Sequence, residues 1–243
     1  GFINFFLSHA SRTEILKTIN KEKNKFGFST RKTNEKDSVL IEYVSSNPTG
    51  PLHVGHGRGA AFGSVLASIL RATGHQVDEE YYVNDQGRQT EILSLSVWLR
   101  YLEIFNQVSL FPNNCYQGAY IESLAKELEK DKDKKFCVDQ ENEKEISQML
   151  SSDLTEEELD NLIAKSKEVL KKGFEEIKTF ALKNILQTIE GDLKAFGVEH
   201  NKWFKESSMF TASKTNGSLI SEALDSLKSK KQIYEKDGAL WFQ

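Results

Sequence analysis

The sequence predicts an α/β fold: a βαβ unit of a parallel sheet, followed by a largely helical stretch. Three observations predict it. Val39–Val44 is rich in β-branched and aromatic residues and reads as a strand. Phe62, Val65, Leu66, Ile69 and Leu70 then recur at helical spacing, and Gln76–Val83 reads as a second strand. Strand, helix and strand in such quick succession make a βαβ unit, whose strands run parallel through a right-handed crossover. Beyond it, up to Phe196, helical patterns recur, interrupted by a loop and a charged turn.

Each element has its own signal. Residues 1–38 open on a short apolar stretch, continue through a helix-like segment at Arg12–Lys23, and end in the polar stretch Ser29–Ser38, which reads as a linker. Ser45-Ser46-Asn47-Pro48-Thr49-Gly50-Pro51 is a loop, and the first helix starts near His53 and stops at Gly74. Gly87–Phe105 is helical, with Ile92, Leu95, Leu99 and Leu102 on one side, and Asn106–Asn114 is a loop around Pro112. Gln117–Glu129 reads as helix and Asp131–Lys135 as a solvated turn. Thr155-Glu156-Glu157-Glu158 fits a capping box opening a further helix. A break is expected at Gly173, after which Phe174, Ile177, Ala181, Leu182, Ile185, Leu186, Ile189, Leu193 and Phe196 extend one more apolar stripe to Gly197. Val198–Phe204 reads as a third strand and Ser218–Lys230 as an amphipathic helix. Ile233–Phe242 reads as a hairpin turning at Asp237-Gly238.

Composition sets the outer limits. With 38% hydrophobic and 28% charged residues, the 243-residue chain can bury a core. No apolar run nears the roughly 20 residues that span a bilayer. A net charge of −4 argues against nucleic-acid binding by bulk basicity. The charge is uneven, however: residues 1–38 hold eight Lys/Arg against four Asp/Glu, and residues 119–176 hold ten against seventeen. The basic end reads either as solvated surface or as a face for a polyanion. Cys115 and Cys137 form no C-x-x-C pair and read as reduced thiols of a cytoplasmic protein. The start without Met and the stop on the apolar run Ala239–Phe242 suggest a piece of a longer protein.

The chemistry gathers at His53-Val54-Gly55-His56, where a strand turns through two prolines into a glycine-rich helix start. Neither G-x-x-x-x-G-K-[ST] nor G-x-G-x-x-G is present, because Phe62 occupies the last glycine position of the latter. His53-x-x-His56 is not an H-E-x-x-H zinc motif, and no metal site is expected. What remains is a cradle for an anion such as a nucleotide phosphate: a helix start with unpaired N–H groups, Gly55, Gly57 and Gly59 without Cβ atoms, and two imidazole donors. The other reading of the histidines is helix capping alone.

This segment resembles the class I aminoacyl-tRNA synthetases, whose first hallmark is His-x-Gly-His at a strand-to-helix junction. Ser45 through Ala61, with Tyr81-Tyr82-Val83-Asn84-Asp85-Gln86-Gly87-Arg88-Gln89, is similar to bacterial arginyl-tRNA synthetases. The similarity returns at Ser94, Val97, Trp98, Arg100, Tyr101 and Leu102 and at Tyr234–Phe242. The resemblance implies the first half of a Rossmann-like class I synthetase nucleotide-binding fold with a large helical insertion. It implies an arginine–tRNA ligase, which uses ATP with Mg2+ to form arginyl-adenylate and then charges tRNA(Arg) in protein biosynthesis. It implies a cytoplasmic, monomeric parent protein with no membrane partner.

By the same resemblance, His53 and His56 are catalytic, and His53, Gly55 and His56 hold ATP. Glu42, Ser45, Ser46, Asn47 and His56 hold L-arginine. A guanidinium calls for a carboxylate of matching fork geometry, and Glu42 is the one acid of its strand. Strand alternation also permits a solvent-facing Glu42. Asn84 and Asp85 stand where parallel sheets bind ligands, or else shape the turn. Arg58 reads as a solvated helix residue. Lys228-Ser229-Lys230-Lys231 is rejected as the second class I motif, because it lies too early in the chain.

The expected organisation is a tail of an N-terminal tRNA-contacting domain at 1–38, the first βαβ half of the catalytic domain at 39–105, a helical insertion at 106–197, and a further strand, helix and hairpin at 198–243. The lysine-bearing loop of the family has no counterpart here, so this chain alone is expected to be inactive. Two rivals stand beside the ligase reading: a non-catalytic nucleotide- and arginine-binding fragment or paralogue, and a small nucleotidyltransferase of the same superfamily.

Overall fold

Three parallel strands form the base of the molecule, in the order β1 (Ser38–Glu42), β2 (Gln76–Val83), β3 (Lys202–Lys205). The computed structural model describes residues 1–6, 8–28, 38–210, 218–236 and 238–243. The stretch 29–37 and the turn residue Asp237, both singled out above, lie outside the described residues. Register runs Ser38 to Gln76 through Glu42 to Glu80, and Glu80 to Lys202 through Val83 to Lys205. Asn201 pins the entry to β3: its side-chain oxygen accepts the Glu79 N–H (2.7 Å) and its amide donates to Asp78 (3.1 Å). The first strand is shorter than expected, since Tyr43 and Val44 leave the ladder to begin the site loop.

Helix α1 (His9–Glu22) precedes the sheet, and α2 (Val54–Ala72) joins β1 to β2. Thr73 caps α2 and Gly74 follows at φ 94°, a left-handed position that suits glycine. The face α2 presents to the sheet corrects the periodicity reading. Phe62, Val65, Leu66 and Ile69 point outward, Phe62 at 73% exposure, while Ala60, Gly63 and Ala67 are buried. The physical reason is closeness of approach. A Cβ on Gly63 would sit 2.2 Å from the Tyr43 ring, so only a stripe of small residues lets the helix lie against that ring. Below the contact, the Tyr43 hydroxyl donates to Glu79 (2.5 Å), and Arg71 of α2 pairs with the same carboxylate.

The helical region comprises α3 (Arg88–Ile104), α4 (Ala119–Lys132), α5 (Gln140–Met149), α6 (Glu156–Leu170) and α7 (Lys172–Ala195). Its core holds Leu95, Trp98, Leu99, Tyr101, Phe136, Phe174 and Ile177, all essentially without solvent contact. Trp98 Nε1 donates to the Phe136 carbonyl (3.0 Å), which satisfies the buried indole. The capping box at Thr155 and Glu158 forms as expected, whereas α5, capped by Asp139, has no counterpart in the sequence reading. The expected break at Gly173 falls instead at Lys171, whose φ is 51°. Gly173 lies inside α7, where its missing side chain admits the Phe136 ring. Phe196, expected in the core, is 58% exposed at the end of α7.

Beyond β3 come a 3-10 turn (Glu206–Phe210), α8 (Leu219–Ser229) and the antiparallel pair β4 (Ile233–Lys236) and β5 (Ala239–Phe242). Cys115 and Cys137 are free thiols, and among the described residues no helix is long and apolar enough to cross a membrane.

Gly63→Ala tests the close approach. The added Cβ collides with an aromatic ring, and overpacking of this kind costs about 1–3 kcal/mol. The expected outcome is a lowered midpoint of urea unfolding at an unchanged slope.

Candidate active site

The site grows from the loop that leaves β1. Val44 (φ 67°) and Ser45 (φ 38°) are consecutive left-handed residues, and one of them is β-branched. Such backbone costs on the order of 1–3 kcal/mol per residue and persists only when its surroundings fix it. Here they do. The Tyr82 N–H donates to Ser45 Oγ (3.0 Å), and the Tyr81 hydroxyl donates to the Ser46 carbonyl (3.0 Å). The Asn84 amide lies 3.2 Å from that of Asn47. His200 Nε2 meets the Tyr43 carbonyl (3.2 Å), and the Tyr120 hydroxyl donates to the Thr49 carbonyl (2.6 Å). Burial raises the Tyr81 and Tyr120 phenols to about 12, so both stay protonated donors at neutral pH.

The loop delivers the chain to α2, where the two histidines cap the helix reciprocally. His53 Nδ1 accepts the Gly55 N–H (3.1 Å), and His56 Nδ1 accepts the His53 N–H (3.2 Å). Their rings stack at 3.8 Å. Both Nδ1 atoms therefore act as acceptors, which puts the proton of each neutral imidazole on Nε2. Gly55 is required by this packing, because a Cβ there would lie 2.9 Å from the His53 ring. The expectation of unpaired N–H groups at the helix start is corrected at Gly55, His56 and Gly57. Gly55 N–H is taken by His53, and the N–H groups of His56 and Gly57 both turn to the His53 carbonyl (2.9 and 3.1 Å). Capping and ligand binding are thus not rivals: Nδ1 serves the helix and Nε2–H remains for an acceptor.

A second group gathers at the C-terminal ends of the strands. Glu42 is exposed, on the sheet face shared by its neighbour Glu80 and by Tyr82. The Tyr82 phenol is raised by burial, then by the charge and hydrogen bond of Glu206, then by the charges of Asp85 and Glu42. Three carboxylates near one ring make a locally negative surface, suited to a guanidinium. Asp85 is also structural: it accepts the Ser207 N–H (2.8 Å) and hydroxyl (2.6 Å), holding the turn after β3.

The structure therefore brings His53 to His56, and Ser45 and Asn47 to β2, with Glu42 around Tyr82. Among the described residues no hydrogen bond or ion pair joins the histidines to the carboxylates; the loop 43–52 connects them. Arg58 is exposed, and Lys228 to Lys231 end α8. Sequence reasoning missed Glu206, His200 and Tyr120. Glu206 directly follows a parallel strand, the same position that singled out Asn84. His200 and Tyr120 carry no local signal, because their partners are 157 and 71 positions away.

Burial first, and repulsion from His53 second, hold the His56 imidazole below its ordinary 6.5. A depressed histidine binds fewer protons folded than unfolded, so stability is full above the unfolded value and is lost as pH falls below about 6.5 toward the folded value. Proton titration by NMR is expected to place His56 below 6.5. Conversion of His56 to Gln should flatten the fall in stability across that window.

Comparison with known proteins identifies the scaffold. The model of tRNA synthetases class I (R), catalytic domain, matches residues 16–242. The arginine–tRNA ligase of Nitrosomonas eutropha is 42% identical over 247 residues, and that of Legionella pneumophila (strain Corby) is 43% identical over 249. Each match covers the whole of this chain and 41% of the relative, so the chain spans well under half the length of these proteins. The crystal structure of a Campylobacter jejuni protein assigned as an arginyl-tRNA synthetase superposes with a TM-score of 0.69 at 32% identity, covering 97% of this chain and 43% of that one. On its parallel sheet, its histidine-capped helix and these matches, the chain belongs to the class I tRNA synthetases of the arginine type, within their catalytic domain.

Proposed function

We propose that this chain is the arginine- and ATP-binding half of the active site of an arginine–tRNA ligase. The observation that carries the reading is the stacked histidine pair, with both Nδ1 atoms committed to backbone N–H groups and both Nε2–H groups left for a ligand. In the first step an arginine carboxylate oxygen bonds to the α-phosphorus of ATP. The bond from that phosphorus to the bridging oxygen breaks, and pyrophosphate leaves. Negative charge builds on the non-bridging α-phosphate oxygens, where fixed donors at His53 and His56 lower the barrier without reorganising. Gly55 gives His53 room for its capping pose. In the second step a hydroxyl of the terminal adenosine of tRNA(Arg) takes the arginyl group and AMP departs. Mg2+ enters with the ATP phosphates as part of the substrate.

Arginine's guanidinium would meet Glu42, with Glu206 as a second acceptor, while Ser45, Ser46, Asn47 and His56 hold its polar backbone end. The tail 1–38 is the part assigned to tRNA contact, 39–105 and 198–243 to the catalytic sheet, and 106–197 to the insertion. The protein would work in the cytoplasm as a monomer. A second reading, a nucleotide- and arginine-binding chain without turnover, is compatible with the 41% span. Calorimetry of this chain with ATP and arginine, beside an exchange assay, separates the two: binding without exchange favours the second.

In the full-length protein, His56→Ala is expected to lower arginine-dependent pyrophosphate exchange by about 10²–10³, the usual cost of one transition-state donor. Undiminished exchange would remove the histidine from the mechanism. Glu42→Gln is expected to raise the arginine KM by about tenfold or more, the scale of a hydrogen bond to a charged group, with the ATP KM little changed. Equal effects on both substrates would contradict the assignment of Glu42 to arginine.

A further inference from the structure

We infer that His200 and Tyr120 are positioning residues for amino-acid binding: from two distant elements, they hold the strained Tyr43–Thr49 loop in its binding shape. The inference rests on the ligase reading above. Its basis is mechanical. Val44 and Ser45 occupy a left-handed backbone that neither residue prefers, so the loop relaxes unless its flanks are held. The flanks are held at the Tyr43 and Thr49 carbonyls, one on each side of Ser45, Ser46 and Asn47. Each carbonyl is gripped by a side chain from outside the βαβ unit.

His200 stands just ahead of β3, packed in an aromatic box. Its ring lies 4.3 Å from Tyr43, 5.4 Å from Tyr81 and 5.9 Å from Trp203. Burial lowers its proton affinity, so it is neutral; among the described residues its buried Nδ1 has no partner, and its proton belongs on Nε2, facing the Tyr43 carbonyl. Tyr120 comes from the first turn of α4. Its ring lies over Gly118, where a Cβ would approach to 2.3 Å, and its hydroxyl reaches past Gly50, where a Cβ would stand 3.1 Å away. Two glycines clear the way for one phenol to reach one carbonyl. The helical insertion thus meets the substrate loop through a directed hydrogen bond.

The test is steady-state pyrophosphate exchange by the full-length protein and its variants. Tyr120→Phe keeps the ring and deletes only the hydroxyl. His200→Ala removes the donor, and His200→Gln supplies an amide N–H in its place. The expected result is an arginine KM raised about fivefold by Tyr120→Phe and more by His200→Ala, the scale of one lost hydrogen bond. The ATP KM should stay within about twofold, and His200→Gln should restore most of the arginine KM. If His200→Ala fails to fold, His200→Phe, which keeps an aromatic ring and lacks the N–H, takes its place beside Tyr120→Phe, with the same raised arginine KM expected. An unchanged arginine KM in Tyr120→Phe and His200→Ala, or kcat and both KM values moving together, would overturn the positioning role while leaving the ligase reading intact. No arginine-dependent exchange in the unsubstituted protein would overturn both.

Discussion

The contact between the Tyr43 ring and Gly63 is the constraint on which the rest of the site depends. It sets how near α2 lies to the sheet, and so where the helix start and its histidines stand. The Tyr43 hydroxyl and Arg71 share the Glu79 carboxylate, so one nearly buried acid ties together the exit of β1, the end of α2 and the centre of β2. A buried carboxylate is tolerable because both partners are hydrogen-bonded to it. The same tyrosine offers its carbonyl to His200. Helix, sheet and the loop 43–52 are therefore located by one residue that belongs to no regular element.

Much of this was readable in the sequence where the signal is local. Gln76–Val83 is a strand at both predicted ends, following the helix stop at Gly74, and the Thr155 capping box opens a helix. The site loop was legible from its prolines and serines, and the histidine pair from its glycines. Legibility failed where tertiary contact decides. Periodicity marks the large apolar residues of α2 as its inner face, yet packing distance selected Ala60, Gly63 and Ala67. The helix break at Lys171 uses a left-handed lysine where glycine was anticipated. Glu206, His200 and Tyr120 join the site only after the chain has folded back over long separations.

The histidine pair shows one group meeting two demands. Imidazole has two nitrogens of opposite character, and the local fold uses the acceptor while the proposed chemistry calls on the donor. Fixing Nδ1 by a backbone N–H also orients the ring, much as a carboxylate orients a metal-bound histidine from behind. The donors are rigid before any ligand arrives, which is the condition for electrostatic stabilisation to be effective. The cost is acid sensitivity, since a proton on His56 Nδ1 would break the cap and the donor geometry together.

The outward stripe of α2 governs how the chain behaves in solution. Phe62, Val65 and Ile69 are each more than half exposed, and Leu40 of β1 is 57% exposed. Exposed apolar surface attracts its own kind, and among the described residues β1 is an edge strand with backbone groups that can accept another strand. Against that attraction stands only the mutual repulsion of a net charge of −4. Added salt screens the repulsion and leaves the apolar attraction intact, so the colloidal stability of this chain falls as ionic strength rises.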